Sequence, residues 1–226
     1  MIANTSPSVG VPTRLLPMGD TAILVETTDI DAVLALSATL GQLAATRQGV
    51  WADVDDIVPA ARTVLVVARG GTDLPALAEV IKRAGAQTTV SETVSDGGQV
   101  EIPVRYNGPD LEDVARHTGL TTREVVEAHT GMPWRVGFGG FAPGFAYLVG
   151  GDPRLVVPRR AEPRPRVAAG SVALAGPYSG IYPTDSPGGW QLIGRTEVTL
   201  WDLHRDPPAV LRPGMRVRFR NVGGPP

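Results

Sequence analysis

The chain of 226 residues contains no cysteine, which excludes disulfide staples and thiolate metal sites. Lysine is nearly missing too. Lys82 stands alone, and the other twenty of the 21 basic residues are arginine. Chemistry that needs a lysine amine therefore has one candidate, in a helical pattern far from the motifs described below. Aromatic side chains make up only 5%, and Trp51 is the only one before residue 100. Two domains with different cores would produce that skew. No apolar run approaches the roughly 20 residues of a membrane span, so no membrane association is expected. The net charge of −2 gives no pull toward nucleic acid or anionic lipid. Three histidines, His117, His129 and His204, are too few and too scattered to propose a metal site. Residues 1–12 lack a charged start and an apolar stretch, so they read as a disordered tail of a cytoplasmic protein rather than as a signal peptide.

What remains falls into two patterns. Residues 13–94 alternate strand and helix signals. Asp29 or Asp31 can cap a helix with Val33, Leu36, Leu40 and Leu43 on one face, and Thr63–Ala68 is a buried strand. Thr72 or Asp73 caps a second helix ended by Gly85, and Gln87–Glu92 is expected to return as a strand. That order predicts a small α+β domain of ferredoxin-like type. Ser95–Gln99 reads as a linker. Residues 100–226 open with a strand and two short helices, Pro109–Thr118 and Thr122–Thr130. Short strands follow between turns: Trp134–Phe138, Phe145–Val149, Ser171–Ala175, Gln191–Ile193, Glu197–Trp201 and Arg216–Arg220. Strands so short and interrupted favour a closed or partly closed β-barrel.

The stretch from Gly137 to Thr196 is dense in glycine and proline, which a folded domain uses together only where backbone geometry is special. Arg154, Arg159, Arg160, Arg164 and Arg166 lie among prolines that keep the backbone extended. Guanidinium forks suit carboxylate or phosphate, and a charged, proline-guarded edge strand would look the same. Ser186–Pro187–Gly188–Gly189 is a turn whose amides could face an anion, or a plain hairpin with Trp190 packed inward. Ser171 and Ser186 have no adjacent base and no nucleophile elbow, which argues against a serine hydrolase. His129 follows Val125 at helical spacing and reads either as a satisfied buried histidine or as an acid–base group.

These residues resemble a family, allophanate hydrolase subunit 1, also called the B subunit of 5-oxoprolinase and related to the kinase inhibitor KipI. The resemblance runs through Gly140–Leu148, Asp152–Leu155, Pro158–Arg160, Pro163–Val167, Ala169–Val172, Gly180–Pro183, Ser186–Trp190, Leu192–Thr196 and Pro213–Phe219, with Pro109–Asp110–Leu111 and His129–Thr130 upstream. It implies a mainly-β cyclophilin-like barrel behind the small α+β domain. It also implies a subunit 2/C partner sharing the active cleft and a third subunit, the assembly opening 5-oxoproline to glutamate with ATP. Biotin is implied only for urea carboxylase-type relatives, where the same pair acts in carboxyl transfer, and a KipI-like kinase inhibitor is the non-enzymatic alternative. Peptidyl-prolyl isomerase activity would rest on barrel likeness alone, and a fold does not carry a function. On this reading Arg159, Arg160 and Arg166 clamp a small anionic substrate, helped by Gly144, Tyr147, Ser171, Gly188, Gly189, Trp190 and Arg195. His129, Tyr182 and Ser186 are the candidate catalytic groups. Where relatives carry Gln-Thr before Gly180, this chain has Tyr178–Ser179, which places a phenol where an amide is expected.

Overall fold

The computed structural model describes residues 10–11, 13–90 and 98–223. It divides into two compact units, Met1–Val94 and Ser95–Pro226. Among the described residues no helix is long and apolar enough to cross a membrane.

The first unit is a four-stranded antiparallel sheet under two helices. Strands β1 (Arg14–Met18) and β2 (Ala22–Glu26) form a hairpin, and β3 (Val54–Pro59) and β4 (Thr63–Ala68) form another, in the order β1-β2-β4-β3. Helix α1 (Ile30–Ala45) is capped by Asp29, whose carboxylate accepts the Ala32 N–H at 2.9 Å. Helix α2 (Leu74–Gln87) is capped by Asp73 in the same way. Alternation along β4 buries Val64 and Val66 against Leu36, Leu40, Leu77 and Ile81. The return strand expected over Gln87–Glu92 is not found. Gln87 ends α2, Thr88 closes the helix with its amide and hydroxyl on Ala84 O, residues 88–90 have no regular structure, and 91–92 lie outside the described residues. The sheet edge a ferredoxin-like return strand would fill, beside β2, is occupied by β1. Of the segment read as a tail, Val11 is buried and its amide donates to Gly85 O and Thr88 O; residues 1–9 and 12 lie outside the described residues.

In the second unit a seven-stranded sheet rolls almost closed. Its strands are β5 (Gln99–Val104), β6 (Trp134–Gly139), β7 (Ala146–Val149), then β9 (Ser171–Ala175), β10 (Tyr178–Ile181), β12 (Gln191–Arg195) and β13 (Arg216–Asn221). A separate two-stranded ribbon is made of β8 (Arg164–Val167) and β11 (Ser186–Gly188). The order of the large sheet is β12-β9-β10-β7-β6-β13-β5, with β5 and β13 parallel and the other pairs antiparallel. Its two edges then meet. Arg105 and Arg195 exchange backbone hydrogen bonds at 2.8 and 2.9 Å, and the Gly108 and Asp110 amides continue along β12 to Ile193 O and Leu192 O. Gln99, read as the end of the linker, is the first residue of β5, and residues 95–97 lie outside the described residues.

Helices α3 (Leu111–Thr118) and α4 (Thr122–Gly131) stand where expected, α4 opening with a capping box between Thr121 and Glu124. Two cores lie on opposite faces of β9. Val172 and Leu174 join Leu148, Val114, Val125, Val217 and Phe219 on the helix side, while Ala173 and Ala175 join Phe145, Tyr182 and Trp190 on the other. Glu197–Trp201 forms no strand. The Val198 amide bonds the Thr196 hydroxyl in a local turn, leaving Trp201 a single bridge to Ala209.

Candidate functional site

Proline at 165 is tolerated because β8 belongs to a two-stranded ribbon, where a missing donor costs little. The ribbon carries Arg164 and Arg166, and the loop before it carries Arg159 and Arg160. That loop is tied down on both sides of Arg159. The Gln191 side-chain amide donates to Pro158 O at 3.1 Å, and the Arg160 backbone N–H donates to Gly189 O at 2.8 Å. The arginine loop is therefore hydrogen-bonded to the Gly189–Gln191 segment on both sides of Arg159. A hollow of about 510 Å³ opens there, lined by Asp113, His117, Arg159, Arg160, Glu162 and Gln191.

The arginines are not equivalent. Arg160 Nη1 donates to Asp110 Oδ1 at 2.8 Å, and Arg164 grips the same carboxylate through both nitrogens at 2.9 and 2.6 Å. Asp110 is 2% exposed, and the Leu192 N–H adds a fourth hydrogen bond at 2.7 Å. Burial pushes its pKa up, but the Arg164 bonds, the Leu192 amide and the two guanidinium charges outweigh burial and hold the carboxyl below its usual range. Arg166 pairs with Asp185, which also accepts the Ala169 N–H; the Ala169 amide, then Arg166, lower the Asp185 pKa. Arg154 is engaged by Asp152. Arg159 is exposed and has no carboxylate partner among the described residues. Of the three proposed clamp arginines, Arg160 and Arg166 are thus already engaged by carboxylates within the chain, and Arg159 is the one of the three without such a partner among the described residues. Arg195 spends its backbone on the barrel seam, and its guanidinium lies 3.6 Å from Glu197.

The candidate catalytic groups are placed deeper than expected. His129 has no exposed surface. Its Nδ1 lies 2.7 Å from the Tyr106 hydroxyl, its Nε2 lies 2.8 Å from Ser179 Oγ, and its ring stacks on Phe219. Burial pushes its pKa down to about 3, so it is neutral and cannot trade protons with a surface ligand. The buried-histidine reading is the one the structure favours. Tyr182 is 1% exposed; burial raises its phenol pKa, and the Trp190 backbone N–H bonded to the hydroxyl pulls the other way. Gly188 lacks a Cβ for a plain reason: one would lie 2.3 Å from the Tyr182 hydroxyl oxygen. Of Ser186–Pro187–Gly188–Gly189, read as an anion-facing turn or as a hairpin with Trp190 packed inward, the first three residues form strand β11, and Trp190 is buried.

Tyr147 stacks on Phe138 at 4.4 Å and meets Phe145, Tyr178 and Trp190 edge-on, which makes an aromatic wall. Tyr178 belongs to this wall, and the Ser179 hydroxyl serves His129 in the core. Ser171 is buried, with its carbonyl accepting the Tyr182 N–H. Gly144, at φ +84°, sits where a Cβ would lie 2.7 Å from Trp201 Cβ.

Three buried side-chain atoms lack a hydrogen-bond partner among the described residues: Arg160 Nε, Ser186 Oγ and Gln191 Oε1. All belong to the arginine loop and the segment bonded to it. An unpaired buried polar atom costs about 1–3 kcal/mol, so their concentration in one place marks a region not built for stability alone. Sequence reasoning named Arg164 in the arginine run without a role and gave none to Asp110 or Gln191. Asp110 takes the N-cap position of α3 without a side-chain cap bond, and nothing in the spacing says that its carboxylate turns to arginines fifty residues on.

The family model described as carboxyltransferase domain, subdomain C and D, matches residues 13–211. A protein of Escherichia coli O157:H7, named as the B subunit of 5-oxoprolinase, is 41% identical over 210 residues, 91% of this chain and 94% of that protein. The crystal structure of TTHA0988 superposes with a TM-score of 0.74 at 36% identity, covering 95% of this chain and 40% of the other. Kluyveromyces lactis urea carboxylase gives a TM-score of 0.71 at 20% identity, covering 98% of this chain and 22% of that enzyme, a likeness of fold alone. The chain thus spans less than half the length of either solved structure.

Proposed function

The chain belongs to the carboxyltransferase domain C and D family, and on that premise we propose that it is the B subunit of an ATP-dependent 5-oxoprolinase complex. The observation that carries the reading is the near end-to-end match, at 41% identity, to a protein of that name. The site supports it in two ways. Arg159 is a free guanidinium beside a hollow, suited to the carboxylate of a small acid. Among the described residues there is also no paired nucleophile and base on that surface, with His129 sealed in the core, which fits a subunit that supplies one wall of a cleft completed by a subunit 2/C partner. The rolled sheet is read as the cyclophilin-like barrel of the family. ATP is a substrate of the whole assembly, with a third subunit, and places the work in the cytoplasm.

Opening the lactam adds water across its C–N bond and yields the amine and side-chain carboxylate of glutamate, with ATP hydrolysis supplying the drive. In this chain Arg159 would hold the substrate carboxylate, and Ser186 Oγ would offer a hydrogen bond near the developing charge. Co-expression with the two partner subunits tests the reading: glutamate should form from 5-oxoproline only when ATP is present and all subunits are assembled. An assembled complex that makes no glutamate, or recovery of a histidine kinase in place of the partner subunits, would refute it.

A further inference from the structure

The backbone on either side of Arg159 is pinned, by Gln191 on Pro158 O and by Gly189 O on the Arg160 amide, while Arg159 itself projects into solvent. What fixes the pins is a single carboxylate. Asp110 receives Arg160 Nη1, both Arg164 nitrogens and the N–H of Leu192, the residue after Gln191. Both of its oxygens are saturated, and two guanidinium groups against one carboxylate leave a surplus positive charge directly beside Arg159. Stability alone is a poor reason for such a cluster. Buried ion groups are often replaced by apolar packing at no loss, and an uncompensated cation beside another cation is unfavourable. A ligand with negative charge reverses that balance.

We infer that Asp110 is the positioning residue of the anion site: it locks Arg160 and Arg164 to β12, and thereby sets the loop that presents Arg159. The inference rests on the reading that the assembled complex consumes 5-oxoproline, and its test separates the two. Charge and position predict opposite outcomes for Asp110→Asn. If only charge mattered, losing a carboxylate would tighten anion binding. If position matters, KM for 5-oxoproline rises about ten-fold or more in the complex with kcat held within about three-fold, the loss expected for one charge-assisted hydrogen-bond set. Asp110→Glu keeps the charge and moves it by one methylene, so a raised KM there cannot be electrostatic, and it serves if Asp110→Asn does not fold. An unchanged or lowered KM in both variants overturns the inference. Should the wild-type complex make no glutamate, the functional reading falls while Asp110 is still tested, by titrating inorganic phosphate into the chain with ¹⁵N-labelled arginine. The Arg159 Nε–H resonance should move, with an apparent affinity about ten-fold weaker in Asp110→Asn. Resonances that stay still, or an affinity the substitution leaves unchanged, overturn it.

Discussion

His129 joins three elements through one ring: α4 carries it, Tyr106 and Ser179 hold its nitrogens, and Phe219 of β13 covers its face. Its pKa of about 3 lies below the ordinary value near 6.5, so the unfolded chain binds a proton that the folded chain refuses. Stability is therefore full above pH 6.5 and falls as pH drops toward 3, by up to about 1.4 kcal/mol per pH unit. Urea unfolding at pH 7, 6 and 5 should show that slope in the wild type and a flatter one in His129→Gln; equal slopes would show that the ring titrates normally. Ser186 behaves oppositely. Its hydroxyl has no partner among the described residues, so Ser186→Ala should leave the melting temperature unchanged or raised, since removing an unsatisfied buried hydroxyl recovers up to about 1 kcal/mol. Turnover by the assembled complex should fall nonetheless, and full turnover would remove Ser186 from the site.

At the scale of elements the barrel seam is the most exacting feature. A Cβ on Gly108 would lie 2.3 Å from Leu192 O and 2.4 Å from the Ile193 carbonyl carbon, with backbone on the far side that cannot move without opening the seam. Gly108→Ala should cost about 1–3 kcal/mol or more in unfolding free energy. Gly41 is the control: within α1, with nothing near its missing Cβ, Gly41→Ala should stabilise by about 0.5–1 kcal/mol. If the two substitutions prove equal, the tight seam is wrong. The helices were legible in advance because caps and apolar periodicity are local: Asp29, Asp73 and the Thr121–Glu124 box all act within three residues. The seam and the ribbon were not. The proline-rich arginine run reads equally as an edge strand or an open rim, and it becomes a ribbon only because Ser186–Gly188 lies opposite it. The motif order located the surface, while the division of labour among its arginines depends on Asp110 and Asp185, whose pairings span 54 and 19 residues.

At the scale of the whole molecule, among the described residues, the buried carboxyl and the buried histidine fall on one side of the domain boundary. Asp110 and His129 both belong to the Ser95–Pro226 unit. In the other unit, among the described residues, the one carboxyl with a lowered pKa is the exposed cap Asp29, held down chiefly by the Ala32 amide. Both groups of the second unit push in the same direction. A histidine kept neutral and an aspartate kept ionised each make the folded state bind fewer protons than the unfolded one, so each loses stabilisation on acidification, His129 first and Asp110 only near pH 4 and below. Between pH 6.5 and 5 the His129 contribution alone removes about 2 kcal/mol. Hydrogen exchange, corrected for intrinsic rates, should therefore show amides of β9 and β10 losing protection by about that amount over this interval, while those of β2 and β4 change little. Equal losses in the two sheets would mean that acid sensitivity is spread along the chain, and that the neutral, sealed imidazole at the centre of the second unit is not what sets it.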